Sequence, residues 1–125
     1  MKKIISTTNA PKAIGPYSQA ILVDGTLYSS GQIAINPKNG TIETEDIKSE
    51  TERVMQNLQA ILKAAQMNFD NVVKCSIFLK AMSQYAEINE VYAAYFGENP
   101  PARETIEVSA LPKDVNVEIS LIARK

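Results

Sequence analysis

Val115-Asn116-Val117-Glu118-Ile119-Ser120-Leu121-Ile122-Ala123 decides how this chain is read. Val115, Val117, Ile119, Leu121 and Ala123 occupy every second position, and side chains two apart on a strand lie on one face. The segment therefore reads as a strand with its apolar face against helices, leaving Asn116, Glu118 and Ser120 on the other face. Working outward, Val73, Cys75, Ile77 and Leu79 alternate with Lys74, Ser76 and Lys80 in a second strand. Arg103, Thr105 and Glu107 fall in step in a third, with Ile106 and Val108 opposite. If these strands are in phase, the second face of the sheet presents an arginine, a threonine and carboxylates together. Alternating polar residues equally describe a solvated face, and the pattern leaves both readings open.

Asp24-Gly25 stands between Ala20-Ile21-Leu22-Val23 and Thr26-Leu27-Tyr28-Ser29-Ser30, which predicts a two-residue hairpin. Asn36-Pro37-Lys38-Asn39-Gly40 is a second turn. Two helices follow from spacing. Ile47, Val54, Leu58, Ile61 and Ala65, widened by Met55 and Leu62, predict one from Ile47 to Met67. Asp46 caps it, or Ser49 does so in a capping box with Glu52. The second runs from Ser83 to Phe96, with Tyr85, Ile88, Tyr92, Tyr95 and Phe96 on one face as core packing and Gly97 as its stop. A hairpin precedes the first helix, so the order is not a strict alternation. The class is α+β, with both helices covering one face of a mixed sheet.

The 125 residues suit one domain, spanning 1–125, and no repeat or linker divides them. At 45% hydrophobic and 22% charged residues the composition is that of a folded globular chain rather than a disordered one. A formal charge of −1 shows no basic excess for phosphate neutralisation, which argues against nucleic acid as a partner. The start carries a Lys2-Lys3 pair but too short an apolar run for a signal peptide, and no run has membrane-spanning length. One cysteine, Cys75, cannot close an internal disulfide. It reads as a buried structural thiol. A cytoplasmic protein with no membrane partner is expected.

The chain has no histidine, which removes the commonest general base and most zinc sites, and no metal is expected. Chemistry then falls to carboxylates, hydroxyls, Arg, Lys or backbone groups. Arg103 follows Pro100-Pro101-Ala102, whose prolines fix where the side chain leaves the backbone. A guanidinium can hold a carboxylate through two parallel hydrogen bonds, although an exposed arginine also serves as a surface ion-pair former.

These residues bring a family into view. Asn9-Ala10-Pro11, Ala13-Ile14-Gly15-Pro16-Tyr17-Ser18-Gln19, Ser29-Ser30-Gly31-Gln32-Ile33, Val72-Val73-Lys74, Asn89-Glu90-Val91-Tyr92, Pro101-Ala102-Arg103, Leu111-Pro112-Lys113-Asp114-Val115 and Val117-Glu118-Ile119 occur in that order. Together they span nearly the whole chain, which resembles the RidA (YjgF) family of reactive-intermediate imine deaminases. The resemblance implies a chorismate-mutase-like fold and a homotrimer with a site in each cleft between subunits. It implies hydrolysis of small 2-imino acids, released by pyridoxal-phosphate enzymes, to 2-oxo acids and ammonia without a cofactor. By the same resemblance Arg103 holds the substrate carboxylate and Glu118 positions or activates water. Tyr17 and Ser30 line the site, Gly31 is where backbone N–H groups approach the ligand, and Asn89 receives no chemical role. Thr105 stands where many relatives carry a cysteine. A hydroxyl keeps hydrogen bonding but gives up thiol reactivity. A binding or regulatory module that uses Arg103 as an anion clamp, without turnover, is the alternative class, and a purely structural role is a third.

Overall fold

A computed structural model describes residues 1–125. Six strands and two α-helices follow in chain order: β1 (Lys3–Ile5), β2 (Ala20–Val23), β3 (Thr26–Ser29), α1 (Ile47–Ala64), β4 (Val72–Leu79), α2 (Tyr85–Ala93), β5 (Ala102–Glu107) and β6 (Val117–Arg124). They form one sheet in the order β1-β2-β3-β6-β4-β5. Only β4 and β5 run parallel. The segment with the clearest alternation is thus an interior strand, flanked by β3 and β4. The α+β class with a mixed sheet is as expected.

Asp24 and Gly25 join β2 to β3 with φ of 49° and 78°, the left-handed pair that a two-residue hairpin requires. On α1, Asp46 is the cap: its Oδ1 accepts from the Ser49 backbone N–H at 2.8 Å and its Oδ2 from the Ser49 hydroxyl at 2.9 Å. Ser49 lies inside the helix, so the alternative box with Glu52 does not form. Asp46→Ala is expected to lower stability by about 0.5–2 kcal/mol. The measurement is a urea midpoint shift at unchanged slope.

Both helices end earlier than their apolar spacing suggests. α1 stops at Ala64 because Gln66 turns into the left-handed region at φ 59°. α2 stops at Ala93, where the Tyr95 and Phe96 N–H groups bond three residues back, to Tyr92 and Ala93. This tightened end lets Tyr95 and Phe96 pack around Phe69, with ring centroids 5.1 and 5.4 Å away. A 3-10 turn, Met82–Gln84, precedes α2.

One contiguous core joins Val54, Leu58 and Ile61 of α1 with Ile88 and Tyr92 of α2, Cys75, Ile77 and Leu79 of β4, and Val117, Ile119, Leu121 and Ala123 of β6. Val115 is also buried. Both helices therefore cover the same face, and each buried Leu or Ile contributes roughly 1.5–3 kcal/mol. Val73 departs from the expected alternation. The β4–β6 register shifts between Val72 and Lys74, turning Val72 inward and Val73 outward, as an extra residue in a ladder does. No helix is long and apolar enough to cross a membrane.

Candidate active site

Strand register decides which polar residues can meet. Arg103 lies opposite Cys75, and Cys75 opposite Leu121; Thr105, Ile77 and Ile119 form the next row. Laterally paired residues share a face, so Arg103, Thr105 and Glu107 lie on the helix side. Glu118 pairs through Phe78 with Ile106, and Ser120 through Ser76 with Glu104, on the open side. The expectation that Arg103 and Thr105 share a face with Glu118 is therefore wrong. Alternation fixes phase within a strand, not between strands, and edge strand β5 turns its wholly polar phase toward the helix side, leaving Ala102, Glu104 and Ile106 on the open side. Glu104 bonds Ser76 and Lys74 on the open face, while Ile106 there is exposed. Glu107 is also drawn elsewhere, accepting from the Met82 backbone N–H at 2.7 Å.

The first half-site is built around Arg103. One terminal nitrogen donates to Asn89 Oδ1 at 2.8 Å and the other to the Tyr85 hydroxyl at 2.7 Å. The guanidinium carbon sits 5.5 Å from the Tyr85 ring centroid and 4.9 Å from that of Tyr92. Two neutral oxygens and two aromatic faces thus fix the fork without neutralising its charge, and its other N–H groups remain for an anion. Asn89, Tyr92, Phe96, Pro100, Pro101 and Arg103 share a surface cavity of ≈ 400 Å³. The Tyr92 hydroxyl and Thr105 Oγ1 are buried without a hydrogen-bond partner. Burial, then the neighbouring Cys75, pushes the Tyr92 phenol well above its ordinary range. Burial also raises the Cys75 thiol, which keeps it protonated and unreactive, in line with a structural thiol.

The second half-site is built around Glu118. Tyr17, Gly31, Gln32, Pro112, Lys113 and Glu118 line a cavity of ≈ 130 Å³. Burial pushes the half-buried Glu118 carboxyl above its ordinary value, because desolvation disfavours the charged form. Gly31 lies directly against it: a Cβ there would stand 2.2 Å from Glu118 Oε2. Space, not a positive φ, makes this a glycine. Ser30, next along, donates from its hydroxyl to Ser18 O at 2.6 Å, which leaves its oxygen lone pairs as acceptors. Tyr17 is half exposed at the cavity. The loop before it is held by buried Gln19, whose amide donates to Thr7 O, Ala10 O and Pro11 O and accepts from the Thr7 N–H.

The structure thus brings Tyr17, Gly31 and Glu118 together and places Arg103 and Thr105 elsewhere. Asn89, Tyr85 and Tyr92 were not legible as site residues. Two of them sit in an aromatic stripe that reads as core, yet Tyr85 is exposed and bonded to Arg103.

Known proteins share this arrangement of elements. A family model described as Endoribonuclease L-PSP matches residues 7–125. The chain belongs to that family, the RidA/YjgF family its motifs resemble. A RutC family protein of Pyrococcus horikoshii is 54% identical over 100% of this chain and 99% of its own. The 2-iminobutanoate/2-iminopropanoate deaminase of Mus musculus is 46% identical over 98% of this chain and 91% of its own. The crystal structure of YyfA from Yersinia pestis, a member of the conserved Rid protein family, superposes with a TM-score of 0.97 at 48% identity. That match covers 100% of both chains.

Proposed function

We propose that this protein hydrolyses small 2-imino acids to 2-oxo acids and ammonia, at a site completed by a second copy within a homotrimer. One observation carries the reading: a braced, unneutralised guanidinium and a desolvated carboxylate occur in one chain, on opposite faces of its sheet. Arg103 of one copy holds the substrate carboxylate and orients the imine carbon. Glu118 of the adjoining copy takes a proton from water as the oxygen attacks that carbon. Glu118 returns that proton to the imine nitrogen, giving a carbinolamine. It then takes the hydroxyl proton and passes it to the amino nitrogen as the C–N bond breaks, so ammonia leaves and a 2-oxo acid remains. An imine carbon is already electrophilic, so positioning and proton transfer suffice, the latter contributing ~10²–10⁴-fold. Tyr17, Ser30 and Gly31 border the water and the substrate, and Thr105 offers an unpaired hydroxyl on the Arg103 side. Exposed Ile4, Tyr28 and Ile106 on the open face supply apolar surface for assembly.

The test is to generate 2-iminopropanoate with an amino-acid oxidase and follow its decay. Wild-type protein is expected to speed that decay, and a rate no better than that of Arg103→Ala overturns the reading. Light scattering should give three times the mass of the chain. The Arg103 half-site is complete as an anion clamp without Glu118, which favours a binding module as the second reading. Tight binding of 2-oxobutanoate with no imine hydrolysis would establish it.

Gly31→Ala follows from the same geometry. The three atoms an added methyl would meet first all belong to the Glu118 side chain rather than to backbone, so the chain should fold with nearly unchanged melting temperature. The carboxylate must swing aside, and imine turnover is expected to fall at least ~10-fold. Calorimetry and the decay assay on one preparation check both halves.

A further inference from the structure

We infer that Glu50, buried on α1, is a positioning residue that sets the placement of Glu118. The inference rests on the hydrolytic reading and extends it to how the carboxylate is held. Glu50 is 0% exposed and belongs to none of the ion pairs. Its Oε2 accepts from the backbone N–H groups of Asn116 at 2.7 Å and Val117 at 3.1 Å, and its Oε1 accepts from Asn116 Nδ2 at 2.7 Å. Every donor comes from the two residues immediately before Glu118. A buried polar side chain is costly unless its lone pairs are met, so α1 and the start of β6 separate only by leaving buried hydrogen-bonding groups unpaired. Asn116, which alternation places on the open face, is drawn to the helix for this reason.

The approach to this latch is strained. Lys113 and Asp114 are consecutive non-glycine residues at φ 54° and 57°, and Pro112 and Lys113 line the cavity that holds Glu118. Strain of this kind persists only where neighbouring contacts over-determine it. Beyond Glu118, the Gln32 N–H donates to Ile119 O at 2.8 Å and the Ile119 N–H to Gln32 O at 3.1 Å. The carboxylate therefore stands between two clamps. The backbone bridge lies on one side and Glu50 on the other, with the strained turn leading into the Glu50 side. A slip of one residue would turn Glu118 to the other face, and far smaller shifts matter, since ~1 Å of misplacement can cost ~10²-fold.

The test uses the full chain in the 2-iminopropanoate decay assay, with 2-oxobutanoate binding measured in parallel. Glu50→Ala is expected to lower kcat by ~10²-fold while KM and 2-oxobutanoate affinity, set by Arg103 on the opposite face, stay near wild type. Glu50→Gln should rescue kcat. Its carbonyl still accepts both backbone N–H groups, and Asn116 can flip its amide to accept from the new side-chain NH₂. If Glu50→Ala does not fold, Asn116→Asp carries the test, because it sets two carboxylates face to face and should lower kcat. Combining it with Glu50→Gln restores a donor–acceptor pair and should restore kcat. Wild-type kcat in Glu50→Ala, an equal loss in Glu50→Gln, or no recovery in the double variant overturns the inference. A wild type inactive on imines overturns the hydrolytic reading instead. NMR titration of the Glu118 carboxyl then decides the latch: a titration unchanged in Glu50→Ala overturns it, and one altered there but restored in Glu50→Gln supports it.

Discussion

Arg103→Ala is expected to lower kcat/KM for 2-iminopropanoate by about 10²–10⁴-fold. Two charge-assisted hydrogen bonds to a carboxylate are worth roughly 1.5–3 kcal/mol each, and each 1.36 kcal/mol is a factor of ten. Stability should change little, because Tyr85 is exposed and Asn89 half-buried, so water can replace the lost guanidinium. Arg103→Lys should recover only a small part. An ammonium cannot reach Asn89 and Tyr85 at once with a flat fork, and it loses the stacked contact with Tyr92. Steady-state kinetics on the three proteins decide the matter: equal kcat/KM in wild type and Arg103→Ala would remove Arg103 from the site.

Glu118→Gln should have a comparable effect by another route. The amide cannot take a proton from water, so kcat is expected to fall ~10²–10⁴-fold while 2-oxobutanoate still binds through Arg103. Burial raises the Glu118 carboxyl, and a base must be deprotonated to act. The wild-type rate should therefore decline as pH falls through that raised value, and the residual rate of Glu118→Gln should lack this acid limb. Folding gives the opposite sign. The folded chain holds this proton more tightly than the unfolded one, so stability is lost as pH rises from the ordinary carboxylate range through the folded value. Melting curves across that window should show Glu118→Gln free of this loss. An identical acid limb in both proteins would assign it to another group.

The β6 alternation was a sound guide because Val115 through Ala123 meets two strands and a helical layer, so burial follows phase without exception. β5 was not, because an edge strand with one neighbour can turn its polar phase, Arg103, Thr105 and Glu107, toward the helix side and leave Ile106 exposed on the other. Only its register with β4 separates Arg103 from Glu118. Tyr85 and Tyr92 share a helical stripe, and spacing cannot say that one braces an arginine from the surface while the other does so from within the core. Glu50 did carry a signal. It falls three residues after Ile47 and four before Val54, on the apolar stripe itself, where an ionisable side chain needs a buried partner. Nothing in the spacing tells that the partner is the entry to β6, sixty-six positions along the chain.

The sheet between Arg103 and Glu118 also bears on timing and dilution. Under the proposed reading, a newly made chain can fold, bury its core and bind an acid, yet remain chemically idle until copies meet. Activity per chain would then climb with concentration and level off once assembly saturates. Dilution would switch the protein off without unfolding it. In that reading, the wall that divides the two groups withholds competence from the solitary polypeptide and grants it to the population.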